Sequence, residues 1–83
     1  MSDTQLQHKL KFKAITAETE FENISEISIL DDAGSGFTLV DSEENEIVFA
    51  GGITSLSIAG AGKTINYIKI TPASGATINV MYY

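Results

Sequence analysis

Apolar and polar residues alternate with a period of two along most of this chain, which predicts strands rather than helices. From Lys9 to Thr16, the lysines Lys9, Lys11 and Lys13 alternate with Leu10, Phe12 and Ala14, the pattern of a half-buried strand with one charged face. From Ala17 to Asn23, Glu18, Glu20 and Glu22 alternate with Thr19 and Phe21, so the charge has moved from odd to even positions. That change of phase requires a turn or a bulge between Lys13 and Glu18. A hairpin centred on Ile15-Thr16 sets Lys13 against Glu18, Lys11 against Glu20 and Lys9 against Glu22. Such exposed pairs contribute only ~0.2–1 kcal/mol each, so they select register more than they stabilise. Ile-Thr is a poor two-residue turn because β-branched residues resist positive φ. Two other readings therefore stand beside the hairpin: the two segments pair between subunits, or Thr16 to Ser28 forms a short helix with Phe21, Ile24 and Ile27 on one side.

Beyond this segment, Ile27 and Ile29 share one face of a strand that ends at Asp31-Asp32-Ala33-Gly34-Ser35-Gly36. Phe37 to Val40 and Glu46 to Ala50 predict a hairpin across Asp41-Ser42-Glu43-Glu44-Asn45, with Asn45 suited to the left-handed position. After Gly51-Gly52, a strand over Thr54 to Ala59 carries Leu56 and Ile58 on one face, and Gly60-Ala61-Gly62-Lys63 turns. The last twenty residues form two alternating runs around Pro72-Ala73-Ser74-Gly75. Pro72 suits an early turn position and Gly75 the left-handed one. Paired as a hairpin, Ile68 and Ile70 lie opposite Val80 and Ile78, leaving Tyr67, Lys69, Met81 and Tyr83 on a second face too apolar for plain solvent surface. The expectation is an all-β chain: a single small antiparallel β-sandwich, jelly roll or barrel of seven to eight short strands over residues 9–83, with residues 1–8 as a flexible tail.

Composition narrows the role without naming one. At 83 residues the chain is one domain, and domains of this size bury only ~60–65% of the unfolded chain's surface. With no cysteine, further stability has to come from oligomerisation or a partner. A net charge of −6, with five basic residues, all lysine, argues against nucleic acid as a partner. No stretch approaches a membrane span, and the first eight residues lack the apolar core of a signal peptide.

Chemical motifs are few. Gly60-Ala61-Gly62-Lys63-Thr64 looks like the end of a phosphate-binding loop, but Ser57 stands where that motif needs glycine, and a strand follows instead of a helix. It reads as a hairpin turn. Asp31, Asp32 and the run from Asp41 to Glu46 are acidic turns, and counted from Asp31 the calcium-loop pattern fails at Ala33 and Ser42. His8 is the single histidine, in the expected tail, which leaves serine catalysis and zinc without their usual groups. No catalytic residue, metal or cofactor is expected. Tyr67, Tyr82 and Tyr83, with Asn66 and Asn79, offer an alternative role as a sugar-stacking face, set against the commoner use of tyrosines in a core or interface.

At Gly51-Gly52-Ile53-Thr54-Ser55-Leu56-Ser57-Ile58-Ala59-Gly60 and from Ile68 to Val80, the chain resembles small β-sandwich virion proteins of bacteriophages: capsid decoration or cement proteins and head-fibre or spike base domains. The likeness spans about the last forty residues and lies in style, not in a diagnostic motif. It implies a non-enzymatic structural protein of a viral particle, made in the host cytoplasm and bound to a symmetric shell or fibre as a homo-oligomer, with a trimer the expected symmetry. The major capsid protein or another virion protein is then the partner, and no nucleic acid or membrane is. The contact is expected at the Tyr67, Met81 and Tyr83 face, or at the Lys9, Lys11, Lys13, Glu18, Glu20 and Glu22 segment. The alternative is a small carbohydrate-binding or adhesin module using its surface tyrosines.

Overall fold

The computed structural model describes residues 10–83, and every regular element among them is a strand. In chain order these are β1 (Lys11–Ile15), β2 (Thr19–Ile24), β3 (Glu26–Asp31), β4 (Phe37–Val40), β5 (Glu46–Phe49), β6 (Thr54–Ala59), β7 (Ile65–Pro72) and β8 (Ile78–Tyr82). One sheet, called A below, has the order β1-β8-β3-β6; the other, B, has β2-β7-β4-β5. All neighbours are antiparallel. The pairs β1–β8, β2–β7, β3–β6 and β4–β5 are those of one long hairpin, closed at the β4–β5 turn and rolled over on itself. That pairing is the jelly roll, in the form of a two-sheet sandwich.

The core follows from the alternation. Ile27, Ile29, Ile78 and Val80 from sheet A meet Phe21, Leu39, Ile68 and Ile70 from sheet B, all of them buried. Fully burying one such side chain is worth ~1.5–3 kcal/mol over leaving it exposed. Phe21 sets its edge on Tyr82 across the two sheets, with ring centroids 4.9 Å apart, and Phe37 stacks on Phe49 at 4.6 Å. Isoleucine dominates because its branched Cβ suits a pleated, half-buried surface.

Only β4 and β5 are consecutive strands of one sheet; every other connection crosses the sandwich. This corrects three expectations. The β1–β2 hairpin does not form: Lys11 and Lys13 lie opposite Tyr82 and Val80, whereas Glu20 and Glu22 lie opposite Lys69 and Tyr67 in the other sheet. The expected ladder gives way to an ion pair between Lys69 and Glu18 at 3.8 Å. Nor is the terminal hairpin present, since β7 belongs to sheet B and β8 to sheet A. Ile68 and Ile70 do meet Ile78 and Val80, but across the core and not along a shared ladder. Lys63 N–H donates to the Gly60 carbonyl at 3.0 Å, closing a tight turn whose central Ala61 and Gly62 both have positive φ. That turn carries the chain from sheet A to sheet B, so it is not a hairpin turn.

The helix reading of Thr16 to Ser28 fails for a local reason. Phe21, Ile24 and Ile27 are all buried at three-residue spacing, which mimics a helical stripe. The spacing arises because Asn23 takes a left-handed φ of 55° and re-phases Ile24, after which the chain switches sheets at Ser25. Asn tolerates that conformation better than most residues. The switch is tied down by Ser25 N–H donating to the Tyr83 carbonyl at 2.6 Å and Gly60 N–H donating to the Ser25 carbonyl at 2.9 Å.

The β4–β5 hairpin forms as expected, with Phe37 opposite Phe49 and Val40 opposite Glu46. Its left-handed residue is Glu44, not Asn45. Asn45 is held by Asp41, which accepts from its backbone N–H at 2.9 Å and its side-chain amide at 3.1 Å. Gly75 takes the left-handed position expected of it, at φ 78°, in a turn closed by Ala76 N–H donating to the Ala73 carbonyl. Pro72 precedes that turn as the last residue of β7.

Candidate functional site

The two sheets share an inner chemistry and differ on their outer faces. On sheet A the pairing lays two rows of side chains across all four strands. Phe12 lies opposite Met81, Met81 opposite Ser28, and Ser28 opposite Ser57. In the second row Ala14 lies opposite Asn79, Asn79 opposite Leu30, and Leu30 opposite Ser55. None of these eight side chains carries a charge. Ser28 and Ser57 bond to each other through their hydroxyls at 3.1 Å. The face holds an open groove of about 590 Å3 lined by residues of both rows and, at the β1 edge, by Lys13.

Phe12 is the departure from the alternation on β1. The lysines were expected to face solvent and Phe12 the core; instead Phe12 is 75% exposed on the outer face and Leu10 is 52% exposed. Lys11 and Lys13 take the inward phase, opposite inward-facing Tyr82 and Val80, but at the open edge of the sandwich where they remain exposed. Lys11 places its ammonium 5.7 Å from the centre of the Tyr82 ring, within cation–π range. Inward-phase charges on an edge strand also discourage edge-to-edge pairing with another chain.

Sheet B turns an ionic face outward. Glu20, Lys69, Val40 and Glu46 form one row across it, with Glu22 and Tyr67 adjoining. Tyr67 donates its hydroxyl to Glu20 at 2.7 Å, and this bond, with the nearby carboxylates, pushes the phenol's pKa up to about 12. A concavity of about 570 Å3 beside it is lined by Asp41, Glu44, Glu46, Tyr67 and Lys69.

The expected contact residues are therefore divided. Tyr67, Glu18, Glu20 and Glu22 belong to the sheet B side, and Met81 lies on the outer face of sheet A. Tyr83 follows β8 and donates its hydroxyl to Glu26 of β3 at 2.9 Å, which raises its pKa. Lys11 and Lys13 line the β1 edge, and Lys9 lies outside the described residues, as do His8 and the expected tail. Tyr82 packs against the core. The three tyrosines thus occupy separate surroundings and do not assemble one stacking platform. Phe12 was missed because a phenylalanine between two lysines reads as the buried side of a strand, and Leu30 because nothing in the local sequence places it beside Asn79.

The acidic turns are occupied by their own backbones. Asp31 is fully buried and accepts from the N–H groups of Gly34 and Ser35 at 3.1 and 3.2 Å and of Gly36 at 2.7 Å. Such convergent donors compensate a buried carboxylate. Asp41 caps its turn by accepting from Asn45 and Glu43, which lowers its pKa. Among the described residues no three potential metal-ligating groups converge. Lys63 is exposed at its turn.

Comparison with protein-family models, with curated proteins and with solved structures finds no match to this chain.

Proposed function

We propose that the chain is a non-enzymatic structural protein of a viral particle that binds a symmetric shell or fibre as a homo-oligomer. The observation that carries this reading is the outer face of sheet A, where Phe12, Leu30 and Met81 stand in rows without a charged side chain. An apolar sheet face on a small domain with no disulfide is a surface for protein contact. The jelly roll adds support by analogy: it is used by capsid domains, though also by lectins and cupins, so the fold does not choose among them. The sugar-binding alternative relied on a joint tyrosine platform, and the separation of Tyr67, Tyr82 and Tyr83 leaves it without a specific observation in its favour.

The test is co-sedimentation of the purified chain with virus particles grown from the source of the gene. Saturable binding at a fixed ratio to the shell or fibre subunit is expected. Failure to bind any particle, together with saturable binding to a glycan panel, would transfer the chain to the adhesin class.

A further inference from the structure

We infer that the outer face of sheet A is the contact between two copies of this chain, stacked sheet A on sheet A about a two-fold axis, in place of the trimer that the resemblance implies; this rests on the structural role proposed above and specifies its building unit.

The chain carries a net −6, so two copies repel wherever their carboxylates approach. The outer face of sheet A is where that repulsion is absent, because the rows through Phe12, Met81 and Leu30 are neutral. Glu26 lies in the adjoining row of β3, opposite Ala59, and accepts from the Tyr83 hydroxyl. Stacking through sheet A gives the layer order B–A–A–B. With packed sheets ~10 Å apart, the two acidic outer faces then stand ~30 Å from each other, well beyond a Debye length of ~8 Å. Lys13, at the β1 edge, is the one charged residue lining the groove, and between the neutral rows a second copy brings a surface of the same apolar character.

Area supports the same occupant. Four strands ~4.8 Å apart, each five or six residues long at ~3.3 Å per residue, span roughly 20 by 18 Å. With side-chain relief this removes on the order of 500 Å2 per copy, or ~1,000 Å2 in the pair, which reaches the lower bound for a specific interface. A single face that meets itself is isologous and closes at two copies. Phe12, 75% exposed in the single chain, is the largest apolar side chain of the two rows and stands on the edge strand β1, beside Met81 and Leu30 on the central strands β8 and β3.

Sedimentation velocity on the intact chain from ~1 μM to ~1 mM tests this, with a two-copy species and micromolar dissociation expected for an interface of that size. Because the two rows that meet are neutral, association should hold or tighten as NaCl rises from ~0.1 to ~1 M. Phe12→Asp and Met81→Lys should each weaken pairing at least ~30-fold, while Val48→Asp on sheet B leaves it unchanged. Unchanged circular dichroism shows that the variants fold. Should Phe12→Asp not fold, concentration-dependent hydrogen-exchange protection at Phe12, Leu30 and Met81 in the unaltered chain supplies the same decision. A chain that stays monomeric at ~1 mM overturns the inference. So does association that salt abolishes, or that Lys69→Glu breaks and Phe12→Asp does not. Pairing without particle binding removes the virion role but keeps the interface; particle binding by a strictly monomeric chain does the reverse.

Discussion

Sheets A and B bury nearly the same side chains and show nearly opposite outer faces. Inside, Ile78 of A and Ile70 of B are both fully buried in one core. Outside, A presents Phe12, Met81 and Leu30 among serines and Asn79, while B presents Glu20, Glu22, Glu46 and Lys69 beside Tyr67. The inner faces are interchangeable because both answer to one requirement, removal of apolar area from water. The outer faces diverge because packing within the sandwich does not constrain them, so whatever the chain contacts is recorded there.

The strongest challenge to this contrast is to cut the core on each side in turn. Ile78→Ala and Ile70→Ala should each destabilise by about 2–5 kcal/mol in denaturant titrations, since both delete fully buried methyl groups. A cost on one side several times the other would show that the sheets do not share one core.

Next comes the joint between them. Asp31 ends β3 in sheet A and binds the loop that leads to β4 in sheet B. Asp31→Ala leaves three backbone donors without their acceptor and should cost about 2–4 kcal/mol. Asp31→Asn, which keeps an acceptor, should recover part of that loss. Equal stability of the alanine variant and the parent would mean that the loop finds other partners.

Substitutions on the outer faces should separate stability from association. Phe12→Ser and Glu22→Gln are each expected within about 0.5 kcal/mol of the parent by thermal unfolding at concentrations where the chain is monomeric. A large destabilisation by Phe12→Ser there would place Phe12 in the monomer's own core and remove it from the contact.

The smallest effect is the alkaline response of sheet B. Folding raises the pKa of Tyr67 from 10.0 to about 12, so its contribution to stability is complete below pH 10 and lost as pH rises through 12. Tyr67→Phe should flatten that part of the stability–pH curve. Tyr83, raised by its bond to Glu26, gives a second component on the sheet A side, so the double variant should flatten it further. Ultraviolet titration of the phenols reads both; an unshifted Tyr67 would show that its bond to Glu20 is not kept in solution.

Much of the fold was legible along the chain. Alternation located the strands, Ile27 and Ile29 announced a buried face, and Gly75 marked its turn through the conformation that glycine permits. The candidate face was far less legible. Its rows unite residues as distant as Phe12, Met81 and Ser57, and no local pattern records such pairing. The reading of β1 went astray because alternation distinguishes two faces without saying which is inside. On an edge strand the inward phase still reaches solvent, so lysines occupy it and Phe12 takes the other side.

By itself, then, the sequence determined that strands dominate this chain, which residues share a face within most of them, and most of the turns, though not the break at Ser25. Those are local matters, set by side-chain period and by the φ that each residue accepts. Apart from the β4–β5 hairpin, tertiary structure decided which strands pair. Consecutive strands usually lie side by side, but here all connections except β4–β5 cross the sandwich, so the expected hairpins of β1 with β2 and β7 with β8 do not exist. Rolling the long hairpin over places each strand beside a partner remote in sequence, because burying both inner faces at once requires two sheets. The neutral outer face of sheet A and the acidic one of sheet B come into being only in that step.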